Sequence, residues 1–181
     1  ILADDFSGKK VIGAILFERT MTESINGKKV PDYLWENCNV VPFLKIDKGL
    51  EEENDGVQLM KPMPDLDATL QAAAKAGIFG TKERSVIHIA YADGIEQVVA
   101  QQFEVARQVI AAGLVPIIEP EVNIHSETKA AAEDILKEVI LKHLDTLADD
   151  QNVMLKLTIP DAAGLYDDLA DHARVVRVVA L

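Results

Sequence analysis

The sequence contains a single cysteine, Cys38, among 181 residues. No intrachain disulfide can form and no cysteine-based zinc cluster can be assembled, so the thiol is expected to be a small buried apolar group. No apolar run approaches the roughly 18 residues needed to cross a bilayer, and no basic stretch leads into an apolar segment with a small-residue cleavage site. A membrane partner is therefore not expected, and a cytoplasmic location is the default expectation. Positive charge is also scarce, with 18 lysines and arginines against 30 aspartates and glutamates, a formal net charge of −12. Nucleic acid is not an expected partner, because duplex binding needs a concentrated basic surface that displaces counterions. Neither G-x-G-x-x-G nor G-x-x-x-x-G-K-[ST] follows any apolar segment, which removes the usual nucleotide cradle. His88, His125, His143 and His172 are scattered, with no pair at metal-ligand spacing and no Ser-His-Asp arrangement. Each is expected to be a core or surface residue.

What is present is a 49% hydrophobic chain, enough to bury the core of one domain, in which short apolar strands alternate with helix-period segments. Strands are expected near Ile1–Asp4, Val11–Glu18, Val40–Ile46, Ser85–Ala90, Val115–Glu119, Val153–Ile159 and Val175–Leu181. Helices are expected over Leu66–Ala76, Ile95–Ala112, Glu127–Ala148 and Asp161–Ala170. Val98, Val99, Phe103, Ala106, Val109 and Ile110 share one face of the second helix, with Gly113 as its stop. Ser126 is the expected N-cap of the third. Strands apolar on both faces and joined by helical crossovers imply a parallel sheet covered by helices. Without a nucleotide-binding turn, a β/α barrel is favoured over an open doubly wound sheet. In a barrel the chemistry sits at the C-terminal ends of the strands. The expected fold is thus a TIM (β/α)8 barrel with about seven of eight strands represented, residues 1–181 forming one domain. A start inside a strand, the short Asp5–Val11 link and an apolar strand at Leu181 with no helix after it suggest a gapped or truncated form of a longer chain.

Several strands carry ionisable groups where such a barrel performs chemistry. Lys156 interrupts Val-Met-Leu-Lys-Leu-Thr-Ile-Pro, sharing a face with Met154 and Thr158 while Leu155, Leu157 and Ile159 point the other way. A lysine held in an apolar interior is a candidate nucleophile toward a carbonyl; a strand-end lysine reaching solvent is the plainer alternative. Glu119 and Glu121 share a face with Ile117, as an acid/base pair, as metal ligands or as solvated carboxylates. Phe43, Lys45 and Asp47 share another face, where Lys45 and Asp47 serve the site or form a structural ion pair. Asp4 and Asp5 close the first strand.

Taken in order, Phe-Leu-Lys-Ile-Asp-Lys-Gly (43–49), Gly-Thr-Lys-Glu-Arg-Ser (80–85), Val-Pro-Ile-Ile-Glu-Pro-Glu (115–121) and Val-Met-Leu-Lys-Leu-Thr-Ile-Pro (153–160) resemble class I fructose-bisphosphate aldolase, bacterial branch. Ile-Leu-Phe-Glu-Arg-Thr (15–20) and Asp-Gly-Val-Gln-Leu-Met-Lys-Pro (55–62) extend the resemblance over nearly the whole chain. It implies that Lys156 forms a Schiff base with the ketose carbonyl and that Glu119 is the acid/base group dehydrating the carbinolamine. Lys82 would stand beside them, its charge favouring the free amine of Lys156 and polarising the reacting oxygens. Asp5, or Asp4 in the alternative register, would take the hydroxyl proton during carbon–carbon cleavage. Glu121 belongs to the same catalytic group, and Lys45 and Arg84 resemble phosphate contacts. The imine is the electron sink, so no cofactor and no metal is implied; the partners implied are phosphorylated ketoses and trioses. The resemblance also places the start of the fourth strand near Lys82, whereas the apolar run alone places it at Ser85.

Two other functions stay open at this point. One is a divalent-metal barrel lyase, with Glu119, Glu121 and Asp47 as ligands and Lys156 as base. The other is an inactive barrel fragment acting as a binding module. Whether copies assemble into a homo-oligomer is also left open by the sequence.

Overall fold

Strands that are apolar on both faces need cover on each side, and here helices pack on one face while the other curls around a cavity. The structure is a computed structural model and describes residues 6–181. Six parallel strands, β1 (Gly13–Leu16), β4 (Val41–Lys45), β6 (Gly80–Ile87), β7 (Val115–Val122), β8 (Val153–Leu157) and β9 (Val175–Ala180), lie side by side in chain order. Two-residue strands β2 (Ser24–Ile25) and β3 (Lys28–Lys29) form a hairpin, and β5 (Val57–Gln58) pairs antiparallel with the end of β6. Helix α1 (Glu18–Thr22), the hairpin, α2 (Val30–Tyr33) and a π-helical turn over 34–38 carry the chain from β1 to β4. The later crossovers are α3 (Leu66–Lys75), α4 (Ala92–Ala111), α5 (Lys129–Leu144) and α6 (Asp167–Ala170).

The sheet is curled. Ile12, Gly13 and Ile15 at one edge and Val176 to Ala180 at the other line the same cavity of about 510 Å³, together with Phe43, Ile117, Met154 and Lys156. Phe43, Ile117 and Met154 form the small apolar layer inside the curl. Outside it, Phe103, Val98 and Ala106 of α4 and Leu136 and Ile140 of α5 pack on Ile87, Ile118 and Leu155. A second outer cluster joins Leu16, Leu34 and Leu44 to Leu70 and Ala73 of α3. Strand β6 starts at a glycine for a steric reason: a Cβ on Gly80 would lie 2.0 Å from the Val115 carbonyl oxygen. Gly113 ends α4 with φ +78°, the left-handed conformation that glycine adopts without strain.

Several expectations need correction. Strand β6 begins at Gly80 rather than Ser85, as the family resemblance implied. Its first half is polar because Lys82 and Arg84 face the inside of the curl, and the apolar-run criterion therefore passed over it. Strand β7 extends through Glu121 to Val122, and β8 stops at Leu157 rather than Ile159. Helix α6 occupies only Asp167–Ala170 of the expected Asp161–Ala170, with Gly164 at φ +76° before it. The residue preceding α5 is Thr128, not Ser126, although the Ser126 hydroxyl accepts a 3.2 Å hydrogen bond from the Thr128 amide. The expected strand Ile1–Asp4, with Asp4 and Asp5, lies outside the described residues. Cys38 is buried and free, and no helix among the described residues is long and apolar enough to cross a membrane.

Candidate active site

Strand alternation puts Ile117 and Glu119 of β7, and Met154 and Lys156 of β8, on the concave side of the sheet. The Lys156 Nζ donates a 2.6 Å hydrogen bond to Glu119 Oε1. Their side chains are 19% and 2% exposed, so the amine reaches the cavity while the carboxylate lies beneath the surface. On the other side of β7, in-register pairing sets Lys82 of β6 beside Ile117. From there the Lys82 Nζ comes within 2.9 Å of Glu119 Oε2. One carboxylate is thus shared between two amines, one on each neighbouring strand.

The chain of charges continues. Lys82 also lies 3.4 Å from Asp47 Oδ2, and the Lys45 Nζ donates to Asp47 Oδ1 at 2.5 Å and to the Asp47 carbonyl at 2.9 Å. Burial pushes the Asp47 carboxyl up, but the Lys45 hydrogen bond, the Lys82 and Lys45 charges and the Gly49 amide outweigh it, holding Asp47 below the usual carboxylate range. The sequence leaves Asp47 as a group serving the site beside Lys156, a structural ion-pair partner of Lys45 or a metal ligand. It is a bridge between two lysines, two residues beyond the end of β4.

Arg84 and Glu121 follow one step further along β6 and β7. The Arg84 Nε donates a 2.5 Å hydrogen bond to Glu121 Oε2 at the rim, which together with the Glu121 charge raises the guanidinium above its ordinary value. Among the described residues, Lys45, Lys82, Arg84, Glu119, Glu121 and Lys156 therefore gather on the concave side of four adjacent strands, β4, β6, β7 and β8, level with and beyond the C-terminal end of β4 at Lys45. The histidines stay apart: His88 bonds Gln58, His143 bonds Glu96 and His172 bonds Asp145. No group of three or more His, Cys, Asp or Glu among the described residues could hold a metal ion. The ligand set Glu119, Glu121 and Asp47 is thus not assembled there, because each carboxylate is turned toward lysine or arginine.

Two buried groups escaped the reading of the sequence. Glu83 alternates to the helix side of β6, where it is fully buried, accepts a 3.0 Å hydrogen bond from the Thr81 hydroxyl and leaves Oε1 without a partner. Burial pushes its carboxyl up to about 8. With charged neighbours in Lys-Glu-Arg, it has the local pattern of a solvated acid. Lys129 and Glu133 at the start of α5 are also buried, 2.5 Å apart. Their i,i+4 spacing is that of an ordinary surface pair, and nothing in the sequence distinguishes it.

Comparison with known proteins supplies an independent view. A profile of class I fructose-bisphosphate aldolase, described as glycolytic, matches residues 1–163. The class 1 fructose-bisphosphate aldolase of Synechocystis sp. (strain ATCC 27184 / PCC 6803 / Kazusa) is 57% identical over 176 residues, 97% of this chain and 59% of that protein. The chain therefore spans about three fifths of the length of that curated relative. Among solved structures, fructose-bisphosphate aldolase from Plasmodium falciparum, in a ternary complex with TRAP and a small molecule inhibitor, matches with a TM-score of 0.68 at 24% identity. That match covers 90% of this chain and 52% of the other. At that identity it speaks for the fold alone: the curled sheet is part of an aldolase-type TIM barrel.

Proposed function

This chain belongs to the class I fructose-bisphosphate aldolase family, and from that premise we propose that it carries the Schiff-base machinery for reversible cleavage of fructose 1,6-bisphosphate. The products are dihydroxyacetone phosphate and glyceraldehyde 3-phosphate. The observation that carries the reading is the shared carboxylate: Glu119 lies 2.6 Å from Lys156 and 2.9 Å from Lys82, at the strand ends beside an open cavity.

The chemistry follows from that geometry. As Lys156 attacks the ketose carbonyl, its departing proton has an acceptor in Glu119, already within hydrogen-bond distance. The same carboxyl then returns a proton to the carbinolamine oxygen, which leaves as water and gives the protonated imine. Lys82, 2.9 Å from the same carboxylate, stabilises negative charge developing on substrate oxygen. Loss of the substrate's C4 hydroxyl proton to a base breaks the C3–C4 bond, and the electron pair passes into the imine to give an enamine. The base is assigned to Asp5, with Asp4 as the alternative. Protonation of the enamine and hydrolysis of the imine return free Lys156. Lys45 and Arg84 meet the substrate phosphates, exchanging their present carboxylate partners for phosphate oxygens; Glu121 holds Arg84 at the rim until then. On this reading residues 1–181 belong to one barrel domain.

The test is the rate of triose phosphate release, measured with and without chelator on this chain and on the full-length protein. The Schiff-base reading expects activity that survives chelation and disappears in Lys156→Met. Loss in chelator would favour the metal-dependent lyase. Turnover by the full-length protein alone would mark this chain as an inactive portion able only to bind.

A further inference from the structure

Hydrogen-bonded pairing between β7 and β8 covers Ile117 with Met154 and Ile118 with Leu155, then stops. The two residues on which the proposed chemistry rests, Glu119 and Lys156, come immediately after that point. Something other than the ladder must hold the two strand ends together. One tie is the Thr158 hydroxyl, which donates to the Val122 carbonyl at 2.7 Å.

The other comes from the start of α5. The Lys129 Nζ donates to the Ile159 carbonyl at 3.0 Å and to Asp161 Oδ1 at 2.7 Å, and lies 2.5 Å from Glu133 Oε1. Two of these contacts are hydrogen bonds and the third is an ion pair, so the ammonium meets three oxygens at once. Glu133 completes the arrangement through its other oxygen, which accepts the Asp161 amide at 3.1 Å. Between Ile159 and Asp161 stands Pro160, which has no amide proton of its own. The pair therefore grips the main chain on both sides of a proline, at the exit of the strand that carries Lys156. Burial pushes the Lys129 amine down, but its bonds to Asp161 and Glu133 outweigh this and hold it above its ordinary value, so it stays charged.

A buried ion pair is a weak source of stability, because desolvation offsets much of the attraction. A pair that nonetheless satisfies a proline-interrupted backbone is better explained by what it positions. We propose that Lys129 and Glu133 are positioning residues that set the separation of Lys156 from Glu119, by docking the start of α5, which follows β7, onto the exit of β8. The inference rests on Lys156 as the imine-forming amine, and neither Lys129 nor Glu133 touches the substrate.

The experiment compares the intact protein with Lys129→Met and with the double variant Lys129→Met/Glu133→Gln, which leaves no unpaired buried charge. Three quantities are read: thermal midpoint, rate of borohydride trapping with dihydroxyacetone phosphate, and the Glu119–Lys156 separation in crystal structures. The single variant is expected to lose stability. The double variant is expected to regain most of it, yet to trap at least tenfold more slowly than the unmodified protein and to show the separation widened beyond hydrogen-bond distance. Recovery of the trapping rate along with stability, or an unchanged separation, would overturn the proposal. If the unmodified protein forms no adduct while the separation still widens in the double variant, the aldolase reading falls and the clamp stands.

Discussion

Replacing Glu83 with glutamine should abolish a large part of the pH dependence of folding stability. Glu83 has no exposed surface, and its partners are the Thr81 hydroxyl, with Gln102 bonded to the neighbouring Ser85 hydroxyl. Burial pushes its carboxyl from 4.5 up to about 8; the Thr81 bond and the Lys82 charge oppose this, and the Asp47 and Glu119 charges reinforce it. Between those two values the folded protein holds a proton that the unfolded chain has released. Its stabilising contribution is therefore complete below about 4.5, declines as pH rises, and is gone once pH passes about 8. Each tenfold in the ionisation constant is worth about 1.4 kcal/mol, so the whole displacement amounts to something on the order of 5 kcal/mol. Glutamine has the shape of the neutral acid and does not ionise. Urea unfolding at pH 5, 6.5, 8 and 9 reads the difference directly, with each pH as a separate equilibrium curve. Near pH 5 the Glu83→Gln variant should match the unmodified protein; near pH 8 to 9 it should be more stable by several kcal/mol. Parallel pH profiles for the two proteins would show that Glu83 does not hold its proton in the folded state.

Asp47→Asn should remove a contribution of opposite sign: a carboxyl held below its ordinary range stabilises the fold at pH values above 3.8 and loses that effect as pH falls through its lowered value. The variant should accordingly show a weaker loss of stability in acid titration followed by circular dichroism. Lys82→Met takes the second amine from Glu119 and should lower kcat about 100-fold or more with a smaller change in KM, in a steady-state cleavage assay. Phe103→Ala, at a fully buried site whose ring lies 5.1 Å from that of His143, should cost about 3–5 kcal/mol in chemical unfolding.

Much of this was legible in the sequence wherever an apolar pattern carried it. Val115 to Ile118 and Val153 to Leu155 announce buried strands, and a lysine or glutamate breaking such a run at the strand end stands out. Lys156 and Glu119 were visible for that reason. Glu83 and Lys129 were not, because a buried charge flanked by other charges, or paired at i,i+4 on a helix, has the same local pattern as a solvated one. Only the third dimension reveals that Thr81, Gln102 and Ser85 enclose the first, or that Ile159 and Asp161 receive the second. The beginning of β6 was hidden by a related effect: Thr81, Lys82, Glu83 and Arg84 lack apolar alternation, since one of the faces they present is the charged interior of the site. The truncated α6 reflects Lys129 drawing Asp161 toward α5 and Gly164 in the left-handed conformation, which together leave only its last turn helical.

The proposed chemistry turns on Lys156 as the amine that joins the substrate carbonyl. Its most direct test is reduction with borohydride in the presence of dihydroxyacetone phosphate, followed by proteolysis and mass spectrometry of the peptides. A substrate-derived adduct on Lys156, dependent on substrate and absent from Lys156→Met, is the result expected. An adduct on Lys45, Lys82 or another lysine, or a full-length active enzyme that forms none, would contradict it.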